Sequence, residues 1–297
     1  MMKGITVVGL CIGFLINVAW AQDNWQSVTD SESVFQQGYA QVISSSEEGQ
    51  SRYRATRAAQ VVAQRDLLEA LQGLTLTGST SVADGMLESD QIKTSVEGFL
   101  KGAIKCGEKY YPEQRYAEVC MRINIRGRGG MYENMLPLFM QDRMVKDKKP
   151  DYQPAQEAVP ANDSGDLGKQ EEAKAEDTTS NDIADPYDGL IVDARGFQFR
   201  PAMVNRILTE KEQVIFDPSK ILGNILVERG CGGFTNDNDK AKVMLENWGS
   251  KNPMLVKCTD VDQFTDAKIS LDDAEILYKH NLKSNLFAQA RVVFMVQ

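Results

Sequence analysis

Few residue types in this chain are equipped for acid–base, nucleophilic or metal chemistry, and their positions narrow what the chain can do. There is one histidine, His280. A single imidazole cannot build a His-rich zinc site or a His–His relay, and it leaves a Ser–His–Asp triad only one base. It sits near the C-terminus of a predicted helix, where the dipole favours a charged ring in a structural role. The cysteines are Cys11, Cys106, Cys120, Cys231 and Cys258, and none forms the C-x-x-C spacing of a thioredoxin-like redox pair. Asp193 and Arg195 leave one predicted strand end together, with Arg200 and Arg206 close behind. Arginines converging there would clamp a carboxylate or a glycan substituent, which makes Asp193, Arg195 and Arg200 candidate anion-binding residues. The favoured alternative is an ion pair at a strand end flanked by exposed arginines.

Other polar runs fit known chemistry less well. Asn236-Asp237-Asn238-Asp239 suggests calcium, but an EF-hand loop counted from Asp237 would place Lys242 at the glycine position and Trp248 at the acidic one. A turn that caps the following helix explains the run better. Asp260, Asp262 and Asp266 are expected in turns. Gly127-Arg128-Gly129-Gly130 lacks the spacing of a phosphate loop and reads as an exit from a strand. Carboxylates are abundant, so a carboxylate-pair hydrolase is compatible with composition, yet no pair stands out. The expectation is therefore no catalytic residue, no metal and no cofactor.

The 297 residues are 42% hydrophobic and 25% charged, as in a globular protein of two domains. Acidic residues outnumber basic ones by 42 to 33, a net charge of −9, which argues against binding a nucleic-acid backbone. Met1-Met2-Lys3, the apolar run Ile5 to Ile16 and Ala19-Trp20-Ala21 form the pattern of a secretory signal peptide over residues 1–21. The run is shorter than the about 20 residues of a spanning helix. Cys11 lies inside the run and not after the cleavage point, so no lipid anchor is expected. No later stretch reads as a transmembrane anchor, and the expected location is periplasmic or secreted. Four cysteines remain in an oxidising compartment. We expect two local disulfides, Cys106–Cys120 and Cys231–Cys258, each worth about 2–4 kcal/mol.

The elements that would position these residues fall on either side of a composition break. Residues 146–186 are rich in Lys, Asp, Glu, Pro, Ala and Ser, and read as a disordered acidic linker that lets its flanks move semi-independently. In residues 22–145, Ser33 to Ile43 reads as a strand. Ser51 to Gln72 reads as a helix whose alanines suit close approach to a sheet, stopped by Gly73. Leu74 to Val82 alternates in the β manner, Asp84-Gly85 is a turn, and Ser89 caps a helix through Lys101. Ala103 to Tyr111 and Arg115 to Ile125 form a hairpin around Pro112-Glu113-Gln114. Its register puts Cys106 opposite Cys120, but it also puts Lys105 and Lys109 on the core face. Either the lysine stems lie over the core edge or a bulge shifts the register by one. Met131 to Met144 reads as a closing helix despite Pro137, its methionines filling gaps in the core.

In residues 187–297, Gly189 to Gly196 reads as a buried strand entering a turn. Glu212 to Phe216, Met254 to Cys258, Lys268-Ile269 and Ala290 to Val296 read as further strands. Asp217-Pro218-Ser219 is a turn. Asn238 to Trp248 is a helix, and Ser270 with Asp273 caps another through Tyr278. The fold class is α+β: two α/β-type domains with helices packed on small sheets, joined by the linker.

The helix Ala55-Thr56-Arg57-Ala58-Ala59 through Asp66-Leu67-Leu68-Glu69-Ala70-Leu71 is followed by Val82-Ala83-Asp84-Gly85, Ser89-Asp90-Gln91-Ile92, Val96-Glu97-Gly98-Phe99-Leu100-Lys101-Gly102-Ala103 and Tyr111-Pro112. This order, over residues 33–126, resembles the LPP-twenty-like lipoprotein family. It is similar also to the N-terminal domain of the flagellar assembly protein T family. The resemblance implies a small domain of helices on a sheet, an envelope protein, and no catalytic residues to carry over. The lipobox of the lipoprotein members is missing. The expected function is that of a non-catalytic, exported cell-envelope protein. It would serve as a protein-interaction or assembly module whose partners are envelope proteins of the flagellar basal body or outer membrane. The alternative is a second domain that binds or processes a glycan or another anion through Asp193, Arg195 and Arg200.

Overall fold

A computed structural model describes residues 25–47, 51–143, 149–154 and 184–297. The expected signal peptide and most of the expected linker lie outside the described residues. Asp30 starts the first helix, α1 (Ser31–Gln37), by accepting a hydrogen bond from Ser33 N at 2.8 Å. Gly38 ends it in the left-handed region, φ 79°, and β1 (Tyr39–Ser46) follows. The expected strand over 33–43 is thus a helix and a strand joined at that glycine. Asp30 with Ser33 is a capping signal, and the helix that follows buries Val34 and Phe35.

The alanine-rich segment forms α2 (Arg52–Gln72), burying Ala55, Ala59, Ala63 and Leu67. Their small side chains let α2 lie close on an antiparallel sheet in which β1 lies beside β5 (Tyr116–Asn124), and β5 beside β4 (Ile104–Tyr111). A small hairpin, β2 (Thr75–Thr77) and β3 (Thr80–Ser81), leads into α3 (Val82–Glu88). Ser81 and Asp84 form a reciprocal capping box there, so Asp84-Gly85 belongs to a helix and not to a turn. Ser89 caps α4 (Asp90–Leu100) as expected.

Next come β4 (Ile104–Tyr111) and β5 (Tyr116–Asn124). Tyr111 pairs with Tyr116, so the loop has four residues, and Lys109 faces Glu118 instead of Ala117. A bulge between Lys105 and Gly107 then restores the pairing of Lys105 with Met121. A bulge is present, but it is the four-residue loop that moves Lys109, while the bulge leaves Lys105 in its expected pairing with its side chain exposed; the extra residue is Cys106. It is bonded to Cys120 with Cα atoms 5.1 Å apart. Helix α5 (Met131–Arg143) holds Pro137 within it and buries Met131 and Met135.

The C-terminal part contains two four-stranded sheets. One is wholly parallel, order β10-β6-β13-β9, made of β6 (Gly189–Asp193), β9 (Gly233–Thr235), β10 (Pro253–Lys257) and β13 (Val292–Met295). The other, order β11-β12-β7-β8, uses β7 (Arg206–Thr209), β8 (Val214–Phe216), β11 (Asp260–Asp262) and β12 (Asp266–Ile269). Connecting helices are α6 (Gly223–Arg229), α7 (Asn238–Asn247) and α8 (Leu271–Ser284). Ile191, Val293 and Met295 pack under α7, while Leu190, Val192 and Phe294 face the main core. A parallel sheet covered on both faces reads as an unbroken apolar run, which is why Leu190-Ile191-Val192 stands out in the sequence.

The two halves do not sit apart. Met203 N and Val204 N donate to Thr75 O and Leu76 O at 3.0 and 2.8 Å, and Gly127 N donates to Val227 O at 2.8 Å. The Tyr132 hydroxyl donates to Met203 O at 2.9 Å. Buried side chains of both halves form one core cluster. The expectation of semi-independent halves gives way to a welded pair. Part of the expected linker is ordered as well. Pro150 to Tyr152 pairs with Val214 on the edge strand β8, and Lys149 reaches Asp262 at 2.6 Å. The mixed α+β class, with helices on small sheets, is the observed one.

Candidate functional site

Because β6, β9, β10 and β13 run parallel, their carboxyl ends share one edge. In open parallel sheets that edge, where strand order reverses, is the usual seat of ligands. Here β6 ends at Asp193, with β10 on one side and β13 on the other. Across the β9 end opens a crevice of about 720 Å³, bounded by Gln36 and Gln37 of α1, by Thr235, Asn236 and Asp237, and by Gln297. This site is composite, since α1 comes from the other half of the molecule. Asn236 and Gln37 make no side-chain hydrogen bond to other described residues, so their amides are open to a ligand. Nothing in the local sequence signalled α1 as a wall, because α1 reaches this edge only through the packing of the two halves.

The candidate anion residues are dispersed. Arg195 closes on Asp193 through two parallel bonds, Nε to Oδ1 at 2.8 Å and Nη2 to Oδ2 at 2.7 Å. Those bonds hold the Asp193 carboxyl below the usual carboxylate range and raise the Arg195 guanidinium. Gln297 Nε2 donates to Arg195 O at 2.9 Å. Arg200 engages a different neighbour, lying 4.8 Å over the Phe264 ring with its backbone N–H on Phe264 O. Arg206 is buried, and its Nε and Nη2 both donate to Asp266 Oδ2. The arrangement is that of an ion pair at a strand end with arginines engaged separately.

The second expected disulfide is absent. Cys231 and Cys258 are free and buried, Cys231 in the turn after α6 and Cys258 just past β10, each with a backbone carbonyl as partner. The Cys231 thiol donates to Met203 O at 3.2 Å, and the Cys258 thiol donates to Asp260 O at 2.8 Å. Burial pushes their pKa values up to about 12 and about 11, so neither is an activated nucleophile. His280 also departs from expectation. Its Nδ1 accepts the Tyr187 N–H at 2.8 Å, and burial, helped by Lys283, lowers its pKa. Desolvation and that hydrogen bond both favour the neutral ring, against the charged ring expected from the helix dipole.

Asp237 caps α7, accepting from Lys240 N at 2.8 Å, as the polar run suggested. Asp260, Asp262 and Asp266 belong to β11 and β12 and not to turns. Asp266 is 1% exposed, and burial raises its carboxyl pKa despite Arg206; its Oδ1 has no partner. Only pairing across β7 and β12 joins Arg206 to Asp266, and no local pattern announces it. Among the described residues, no group of His, Cys, Asp or Glu could hold a metal, and no helix is long and apolar enough to cross a membrane.

Residues 189–297 match the model of a family described as Treponema pallidum Tp0624, second domain. The match begins at β6 and takes in both four-stranded sheets, so the similarity belongs to the C-terminal half. No curated protein matches the chain.

Proposed function

We propose that this is a non-catalytic, exported protein of the cell envelope, periplasmic or secreted, that acts as a protein-interaction or assembly module. The observation that carries the reading is the Cys106–Cys120 disulfide, which persists in an oxidising compartment and agrees with the export pattern at residues 1–21. The resemblance of residues 33–126 to envelope domains supports it. So does the engagement of the reactive groups within the fold: Arg195 on Asp193, the thiols on backbone carbonyls, His280 on Tyr187. Flagellar basal-body or outer-membrane components are the partners this reading favours.

The open amides beside Asp237 favour a second reading, in which the carboxyl-edge crevice takes a glycan. Amides and carboxylates match sugar hydroxyls, which both donate and accept. One experiment separates the two. Crosslinking of the mature protein in intact cells, followed by affinity capture and mass spectrometry, should recover basal-body or outer-membrane proteins. Recovery of peptidoglycan or polysaccharide fragments without protein would shift the function to the crevice. Fractionation that finds the protein in the cytosol would overturn the proposal.

A further inference from the structure

The glycine-rich exit from β5 borders a cavity that neither reading uses. It is about 610 Å³ in volume, lies between α4, the start of β4 and the end of β5, and is lined in part by Arg122, Arg128, Ser95 and Asn124. The charges there are unusual for an acidic chain. Arg122 is half-buried and has only neutral partners: its Nε and Nη2 donate to Gln41 Oε1 at 2.8 and 2.6 Å, and its guanidinium lies 4.2 Å over the Tyr39 ring. Arg128 is exposed and meets no acidic side chain among the described residues. Ser95 and Asn124 add uncommitted polar groups. A guanidinium without a counter-charge on the protein keeps donors that a bound anion can take.

The backbone is not the recognition element. Gly129 N is already taken by Glu133 Oε2 at 2.5 Å, so the loop cannot cradle an anion as a phosphate loop does. Recognition falls to the side chains. The Arg128 fork and the Arg122 N–H groups that Gln41 leaves over, with hydroxyl and amide donors, offer more hydrogen bonds than a carboxylate's two oxygens suit, and a phosphate group matches them better. The volume leaves room for more than the phosphate itself. We infer that this cavity binds a phosphate-bearing ligand, a soluble organic phosphate or a phospholipid headgroup, through Arg122 and Arg128. The inference does not rest on the assembly reading, and a failed pull-down would leave it standing.

The test uses the full mature chain. Calorimetry with glycerol 3-phosphate reports a soluble source, and co-sedimentation with phosphatidylglycerol against phosphatidylcholine vesicles reports a headgroup. Binding in either arm is expected, weakened about tenfold or more by Arg128→Glu with melting temperature unchanged. Arg122→Lys, which keeps the charge but loses the fork, should bind between the two. The inference is overturned if neither probe binds, or if both variants bind as the parent does.

Discussion

At Cys106 the chain inserts one extra residue into β4, and that residue carries the disulfide to Cys120. The bulge lets the cysteine reach its partner while Lys109 moves opposite Glu118, away from the apolar face of β5. The local pairing was legible because a hairpin brings its two halves together whatever the rest of the chain does. Cys231 and Cys258 carried no such constraint. Their approach depended on packing between α6, β10 and two sheets, and that packing points each thiol at a backbone carbonyl instead. The redox state follows. Iodoacetamide added to the native mature protein, from which Cys11 has been removed with the signal peptide, should leave Cys231 and Cys258 unlabelled, and under denaturing, non-reducing conditions it should label only those two. Peptide mapping that finds a Cys231–Cys258 crosslink, or alkylated Cys106, would contradict this assignment.

Among the elements, long segments with one clear period were readable. The alanine face of α2, the caps of α4, α7 and α8, and the apolar run of β6 all follow from local rules. The four- and three-residue strands β7 and β9 were not, since so few residues show no period and exist only through pairing, β7 with β12 and β8, β9 with β13. Residues 149–154 illustrate the same limit. Their composition is that of a linker, yet Pro150 to Tyr152 finds the open edge of β8, and Tyr152 meets Tyr278 edge-on at 5.9 Å. The Lys149–Asp262 bridge makes this strap pH-sensitive. The hydrogen bond from Lys149 lowers the Asp262 pKa; burial opposes the Lys149 charge, but Asp262 and Glu212 outweigh it and raise the lysine. The stabilisation from Asp262 is therefore full above the ordinary carboxylate range and is lost as pH falls through its depressed value. Asp262→Asn should cost about 1 kcal/mol near neutral pH. Thermal melts of parent and variant should converge in acid, and a gap that persists below the carboxylate range would rule out this linkage.

At the scale of the whole molecule, composition suggested two bodies on a tether, and the joint between them could not be read locally because its contacts are backbone bonds and scattered side chains far apart in sequence, among them Tyr132, Arg126 and Thr265. Tyr132 of α5 inserts against Gly230, whose φ of 69° and close approach leave no room for a side chain: a Cβ there would lie 2.6 Å from the ring. Its hydroxyl then reaches Met203 O. Beside it the Arg126 Nη2 spans both halves, donating to Phe35 O at 2.6 Å and Gly232 O at 3.3 Å. Elements held this way unfold together, because opening one half strands buried donors and acceptors of the other. Fluorescence of Trp25, in the first half, and of Trp248, in the second, should report coincident denaturant midpoints when each is followed in a variant lacking the other. Tyr132→Phe should lower both midpoints equally, at a cost of about 1 kcal/mol for the lost hydrogen bond. Gly230→Ala should lower them further, because the new methyl group must displace the ring. Two separated transitions, with the Tyr132 variant moving only one, would mean that the halves are independent bodies and that the weld contributes no cooperativity. A single shifted transition would make the joint a structural part of the composite crevice, whose α1 wall is held in place only while the two halves stay together.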